Sequence, residues 1–197
     1  MNGRVAFGGR LAARHISPPG PGLWWKLQNM RYLAWPCVQR IVRRIFGLSG
    51  MEGNLYARLF RHDGTVVDYG LVAMQMITTA FVNFMVDQLQ TETSEWGDFK
   101  YHDSGVGTTD PAITDTDIET TDGESRATGN QGEGASANIY KSIGTISYTT
   151  SKAITEHGLF NSAATVTLMD RSEFAAINVV NGDSIQFTYE LTCTAGG

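Results

Sequence analysis

The clearest pattern in the chain lies near its carboxyl end, where Ile185-Gln186-Phe187-Thr188-Tyr189-Glu190-Leu191-Thr192-Cys193 alternates apolar and polar residues without interruption. A period of two belongs to a β-strand with one dry face, so Ile185, Phe187, Tyr189, Leu191 and Cys193 are expected together on that face. A slip of one residue would turn the whole set into water, and the pattern therefore fixes its own register. Ile177-Asn178-Val179-Val180 precedes it across Asn181-Gly182, a dipeptide that tolerates positive φ, and the two runs are expected to pair as a hairpin. Leu55 to Phe60 and Thr65 to Tyr69 flank Arg61-His62-Asp63-Gly64, a second hairpin signal; residues 71–77 then extend the sheet or lead into a helix. Further strands are expected at 99–102, 139–149 and 153–160, with a last pair at 165–169 and 172–177.

One stretch in this half has helical spacing instead. Phe81, Phe84, Met85 and Leu89 recur at i, i+3, i+4 and i+8, with Thr78 or Thr79 placed to cap the helix. Met74, Met76 and Met85 read as core filler. Residues 103–138 form a long loop rich in Gly, Thr, Asp and Ser, too long for an ordinary hairpin connection. The pattern predicts a mainly β chain: an antiparallel β-sandwich or jelly-roll-like domain with one amphipathic helix.

Charge separates the amino-terminal part from this body. Residues 1–50 carry eight Lys/Arg and no acid, whereas residues 51–197 carry seven basic and all twenty acidic residues, a net charge of −13. The division predicts an extended basic arm over 1–50 and a β-rich body over 51–197. An alternative start at Met51 would leave the arm out of the mature protein. Ser17-Pro18-Pro19-Gly20-Pro21-Gly22 reads as a stiff non-helical linker. Pro36 suits the first turn of a short helix running to Phe46, with Gly47 as its stop. In that helix Val38, Ile41, Val42 and Ile45 share a face, and Gln39, Arg40, Arg43 and Arg44 lie largely opposite. Such a helix fits an acidic partner protein, nucleic acid or a membrane surface, or packs on its own acidic body. The acidic loop of a neighbouring copy is a further place for the arm.

Chemistry adds little. Cys37 and Cys193 belong to no metal or redox spacing and read as unpaired thiols. There is no phosphate-binding Gly-x-x-x-x-Gly-Lys-Ser/Thr and no Gly-x-Ser-x-Gly, and Gly105-Val106-Gly107-Thr108-Thr109-Asp110 departs from the dinucleotide pattern at its sixth position. His62–Asp63, His102–Asp103 and Glu156–His157 are neighbours in sequence, which in a strand sends the two side chains to opposite faces. The acidic run Asp110 to Asp122 invites a calcium reading but lacks the glycine and closing Glu of an EF-hand, so a solvated acidic loop is expected. No catalytic, cofactor-binding or metal-binding residue is assigned. No apolar run approaches the ~20 residues needed to span a bilayer, and a secretory signal is not expected.

Four stretches together resemble small structural proteins of tailed bacteriophages: Gly105-Val106-Gly107-Thr108-Thr109-Asp110-Pro111-Ala112, Ala153-Ile154-Thr155-Glu156-His157-Gly158-Leu159-Phe160, Leu168-Met169-Asp170-Arg171-Ser172-Glu173-Phe174, and the run from Ile177 through Asn181-Gly182-Asp183 to Tyr189. The resemblance covers roughly residues 55–197 and none of the basic arm. It implies a non-enzymatic virion protein without cofactor, assembled in the host cytoplasm. As a head decoration or cement protein it would bridge capsid subunits; as a tail, collar or fibre component it would differ in copy number. Its partners would be the major capsid protein, other virion proteins and copies of itself, with Trp24, Trp25, Trp35, Arg40, Arg43 and Arg44 as the expected contacts. Two other classes remain open: a nucleic-acid binder using the arm, and a hydrolase of surface glycans, which would need paired carboxylates in a groove.

Overall fold

The computed structural model describes residues 19–45, 50–75, 77–90, 98–164 and 167–194. It is mainly β, with two antiparallel sheets and two helices among the described residues, in a sandwich-like arrangement. Strands β1 (Gly50–Phe60) and β2 (Val66–Gln75) form the first expected hairpin, closed by Gly64 N–H donating to the Arg61 carbonyl at 3.0 Å. Helix α2 (Thr79–Gln90) follows, and the Thr78 hydroxyl caps it by accepting from Phe81 N–H at 3.2 Å. Then come β3 (Tyr101–Gly105), β4 (Ala127–Thr128), β5 (Asn130–Glu133), β6 (Ile139–Ser147), β7 (Lys152–Phe160), β8 (Leu168–Val179) and β9 (Ser184–Thr194). One sheet has the order β2-β1-β9-β6-β5 and the other β4-β3-β7-β8.

The core lies between the sheets. Leu55, Leu59, Ile185, Phe187 and Tyr189 from the first meet Ile154, Leu159, Phe174 and Ile177 from the second. Phe81 of α2 closes one end, its ring edge-on to Phe99 at 4.9 Å between centroids.

Four expectations change here. The runs on either side of Asn181-Gly182 do not pair: β8 belongs to one sheet, and β9 pairs with β1 and β6 in the other. Gly182 does adopt positive φ, +88°, but the turn crosses between the layers. Buried Asp183 holds it there, accepting from Val180 N–H at 3.0 Å, His62 N–H at 2.9 Å and Arg61 Nη1 at 2.7 Å, while Tyr148 N–H donates to its carbonyl at 2.9 Å. Cys193, expected on the dry face, is exposed, since burial along β9 ends at Leu191; Cys37 is exposed too. Residues 168–169 of the first expected run and the whole 172–177 run lie in one continuous β8 from Leu168, while residues 165–166 fall outside the described residues. The segment 103–138 also contributes β4 and β5, the short strands that carry the chain from one sheet to the other.

The described part of the amino-terminal segment differs from the expected short helix, and residues 1–18 of the expected arm lie outside the described residues. Helix α1 spans Leu23–Ile45, with Pro36 inside it. Pro36 lacks the N–H that would reach the Tyr32 carbonyl, yet the helix continues, because packing against the body holds its first half in place. It lies over the outer strands β2 and β8, where the margins of the two sheets meet. The preceding segment runs along β2, with Asp68 N–H donating to the Pro19 carbonyl at 3.0 Å. The expected linker before Pro19 falls outside the described residues. Among the described residues, no helix is long and apolar enough to cross a membrane.

Candidate functional site

Three polar or exposed features are candidates for function. The first lies on the four-stranded sheet and gathers three of the stretches singled out in the sequence. Glu156 of β7 is fully buried, and its carboxylate is fully used. Oε1 accepts from Gly107 N–H at 2.9 Å and Thr120 N–H at 2.8 Å; Oε2 accepts from Glu119 N–H at 3.0 Å and from Arg171 Nε at 2.8 Å. Arg171 of β8 spends its remaining N–H groups on the same loop: Nη1 donates to Asp115 Oδ2 at 3.0 Å and Nη2 to the Thr109 carbonyl at 3.1 Å. Glu119 turns back to accept from Thr108 N–H at 2.7 Å and Thr109 N–H at 2.9 Å, which holds its carboxyl below the usual range. Residues 105–120 are thereby bound to the sheet through one buried ion pair and its hydrogen bonds. Gly107 is required by close approach: a Cβ there would collide with the carboxylates of Glu156 and Glu119.

The loop is largely exposed, as its composition suggested, but several of its acids are engaged. Asp115 and Glu119 face Arg171 and the loop's own N–H groups, and Asp103 is clamped by Arg126 Nε at 2.8 Å, whose guanidinium lies 3.8 Å over the Phe160 ring. Each carboxylate already has its donors. The chemistry available is that of a lock.

The second feature spans the two sheets. Ser142 of β6, His102 of β3 and His157 of β7 form a buried chain: the Ser142 hydroxyl lies 2.9 Å from His102 Nε2, and His102 Nδ1 lies 2.9 Å from His157 Nε2. Beyond it, the His157 ring packs on Phe187 with centroids 4.6 Å apart, and its Nδ1 finds no partner among the described residues. Burial pushes the His102 pKa down to about 3, and burial together with His102 pushes that of His157 well below its ordinary value. Both rings are neutral and sealed from solvent, so the chain serves as internal hydrogen bonding. Next to β1 sits a less satisfied pair, Asp170 and Tyr189. Asp170 Oδ1 accepts from the Ser172 hydroxyl at 2.7 Å, whereas Asp170 Oδ2 and the Tyr189 hydroxyl have no partner among the described residues. Burial raises the Asp170 carboxyl to about 7.

The third feature is α1. Its inward face is stitched to both sheets. Asn29 donates from Nδ2 to the Val72 carbonyl of β2 at 2.8 Å and accepts Ala175 N–H of β8 at 3.0 Å, so a single amide joins the two sheet edges. Trp25 Nε1 donates to the Ala175 carbonyl at 3.0 Å, its ring edge-on to Tyr69 at 4.7 Å. Tyr32 donates to Glu173 Oε1 at 3.1 Å. Of the expected contact residues, Trp25 is therefore an internal anchor. Trp24 is 80% exposed and Trp35 67% exposed, and both remain available. The side chains of Arg40, Arg43 and Arg44 lie outside the described residues.

The Glu156–Arg171 pair was not foreseen, although both residues sat in the stretches singled out. The signal was a buried-strand pattern interrupted by single charges of opposite sign. Comparison with known protein families, with curated proteins and with solved structures finds no match.

Proposed function

We propose that this chain is a non-enzymatic structural protein of a phage virion, a jelly-roll-like head decoration or cement protein that binds the major capsid protein and neighbouring copies. Its work is adhesion, and a repeated lattice makes a set of weak contacts strong. The observation that carries the reading is the outward face of α1. Leu23, Trp24, Leu27, Met30, Trp35, Val38 and Ile41 are all exposed on a helix anchored by its other side. Contiguous apolar surface of that kind marks an interaction site. The convergence of three resemblance stretches on one internal lock supports a scaffold role for them. A nucleic-acid role fits this face less well, since the exposed cations among its described side chains are Lys26 and Arg31 amid a larger apolar set, and phosphate binding calls for many cations.

The test is to count copies of the chain in purified particles of the virus that encodes it, by quantitative mass spectrometry. Copies on the order of hundreds per particle match decoration, and about a dozen or fewer move the protein to tail, collar or fibre. A chain missing from the particles ends the virion reading.

A further inference from the structure

We propose that the outward face of α1 pairs with the same face of a second copy, as an antiparallel two-helix seam about a two-fold axis. The inference rests on the adhesive reading above and names what occupies that face. Leu23, Leu27, Met30, Ala34, Cys37 and Ile41 follow one another at intervals of 4-3-4-3-4, the spacing of coiled-coil core positions. All six are exposed, and the five large aliphatic residues of the face, Leu23, Leu27, Met30, Val38 and Ile41, are between 49% and 72% exposed. A partner that meets such a seam is itself a helix with the same repeat, and α1 supplies one.

The spacing reads the same from either end, which favours opposite directions. An antiparallel pair sets Leu23 against the partner's Ile41, Leu27 against the partner's Cys37 and Met30 against the partner's Ala34. Each larger residue at the centre then faces a smaller one, as close packing requires. A parallel pair would stack alanine on alanine and methionine on methionine, alternating gaps with crowding. Charge agrees: no acid lies in α1, so a parallel pair would set the arginine-rich carboxyl ends side by side, and the antiparallel one sets them far apart. The residues that anchor α1 to its own body, Trp25, Asn29 and Tyr32, project from the opposite side of the helix, so the two bodies stand clear of each other. The exposed apolar residues, with Trp24 and Trp35 flanking the seam, present on the order of 800 Å², about what each partner of a standard-size interface contributes.

The test uses the full chain in solution. Light scattering behind size exclusion at micromolar concentration gives about twice the 21.5 kDa chain mass, and Met30→Glu returns a monomer with unchanged circular dichroism. In a Cys193→Ser background, Leu27→Cys forms a covalent dimer with the partner's Cys37 under mild oxidation. The same background with Leu27 intact does not, because the two Cys37 residues lie about 15 Å apart along the axis. A monomer at every concentration overturns the proposal, as does a Cys37–Cys37 disulfide in the chain with Leu27 intact. A monomer that sediments with phosphatidylglycerol vesicles and not with phosphatidylcholine vesicles overturns it in favour of a lipid surface. None of these outcomes touches the particle count, which judges the virion reading separately.

Discussion

Glu156 and Asp170 are both fully buried carboxylates on neighbouring strands of the same sheet, yet they are in opposite chemical situations. Glu156 has three backbone N–H donors and a guanidinium, so both of its carboxylate oxygens are fully paired without water. Asp170 has one hydroxyl and an unpartnered oxygen, and burial raises its carboxyl to about 7. Burial alone therefore does not decide whether an acid strengthens a core. The number of donors aimed at it does, because an unmade hydrogen bond to a buried ion costs more than a made one contributes.

Removing the guanidinium should break this contrast most strongly. Arg171→Leu leaves the buried Glu156 carboxyl with backbone donors only, and a loss of about 3–5 kcal/mol is expected in denaturant unfolding. Amide exchange should rise across residues 105–120 first. If instead exchange stays slow there, the loop is held by something other than the ion pair.

Asn29→Ala applies the same logic to a neutral group. It strands the Val72 carbonyl and the Ala175 N–H at once, and should cost about 2–4 kcal/mol while loosening α1 from the body. Intrinsic fluorescence of Trp25, read in a chain with the other three tryptophans, Trp24, Trp35 and Trp96, replaced by Phe, should shift to the red.

The histidine chain supplies the pH arm. Both folded-state pKa values lie below the ordinary 6.5, so the unfolded state takes up protons first as pH falls. Stability from the neutral pair is complete above about pH 6.5 and lost below it, at about 2 kcal/mol per histidine by pH 5. Comparing wild type with His102→Asn/His157→Asn between pH 7 and pH 5 reads this out: wild type should lose stability relative to the variant.

The smallest effect has the opposite sign. The folded-state pKa of Asp170 is raised from 3.8 to about 7, so its penalty is absent below about pH 4 and grows as pH rises toward 7. Asp170→Asn removes a penalty of about 4 kcal/mol at pH 8 and adds about 1–3 kcal/mol for burying the asparagine amide, so a net stabilisation of about 1–3 kcal/mol is expected, fading by pH 4. A variant less stable than wild type at pH 8 would mean that the Asp170 carboxylate finds donors after all.

Much of the body was legible. The alternation over Ile185 to Leu191 is the burial pattern of β9, and Asp63-Gly64 closes a hairpin as its chemistry suggested. Thr78 caps α2 as expected. The Asn181-Gly182 hairpin failed for a definite reason. Positive φ specifies a turn, but which sheet receives the next strand depends on Asp183 finding donors in Arg61 and His62, over a hundred residues earlier. The length of α1 was missed because Pro36 reads locally as a helix start, and the turns before it are held by Trp25, Asn29 and Tyr32 against the body, which local pattern does not show. Glu156, Arg171, His102 and His157 were visible as residues and not as partners, since pairing across strands depends on register.

The sequence by itself determined where most of the longer strands run, most of their dry faces and where charge is concentrated, because period and side-chain chemistry are local properties. The tertiary structure alone decided which charges meet and which sheet each strand joins. It also decided which side of α1 is left facing outward. These are outcomes of long-range packing, where a single buried amide or ion pair selects among arrangements that local pattern leaves equal.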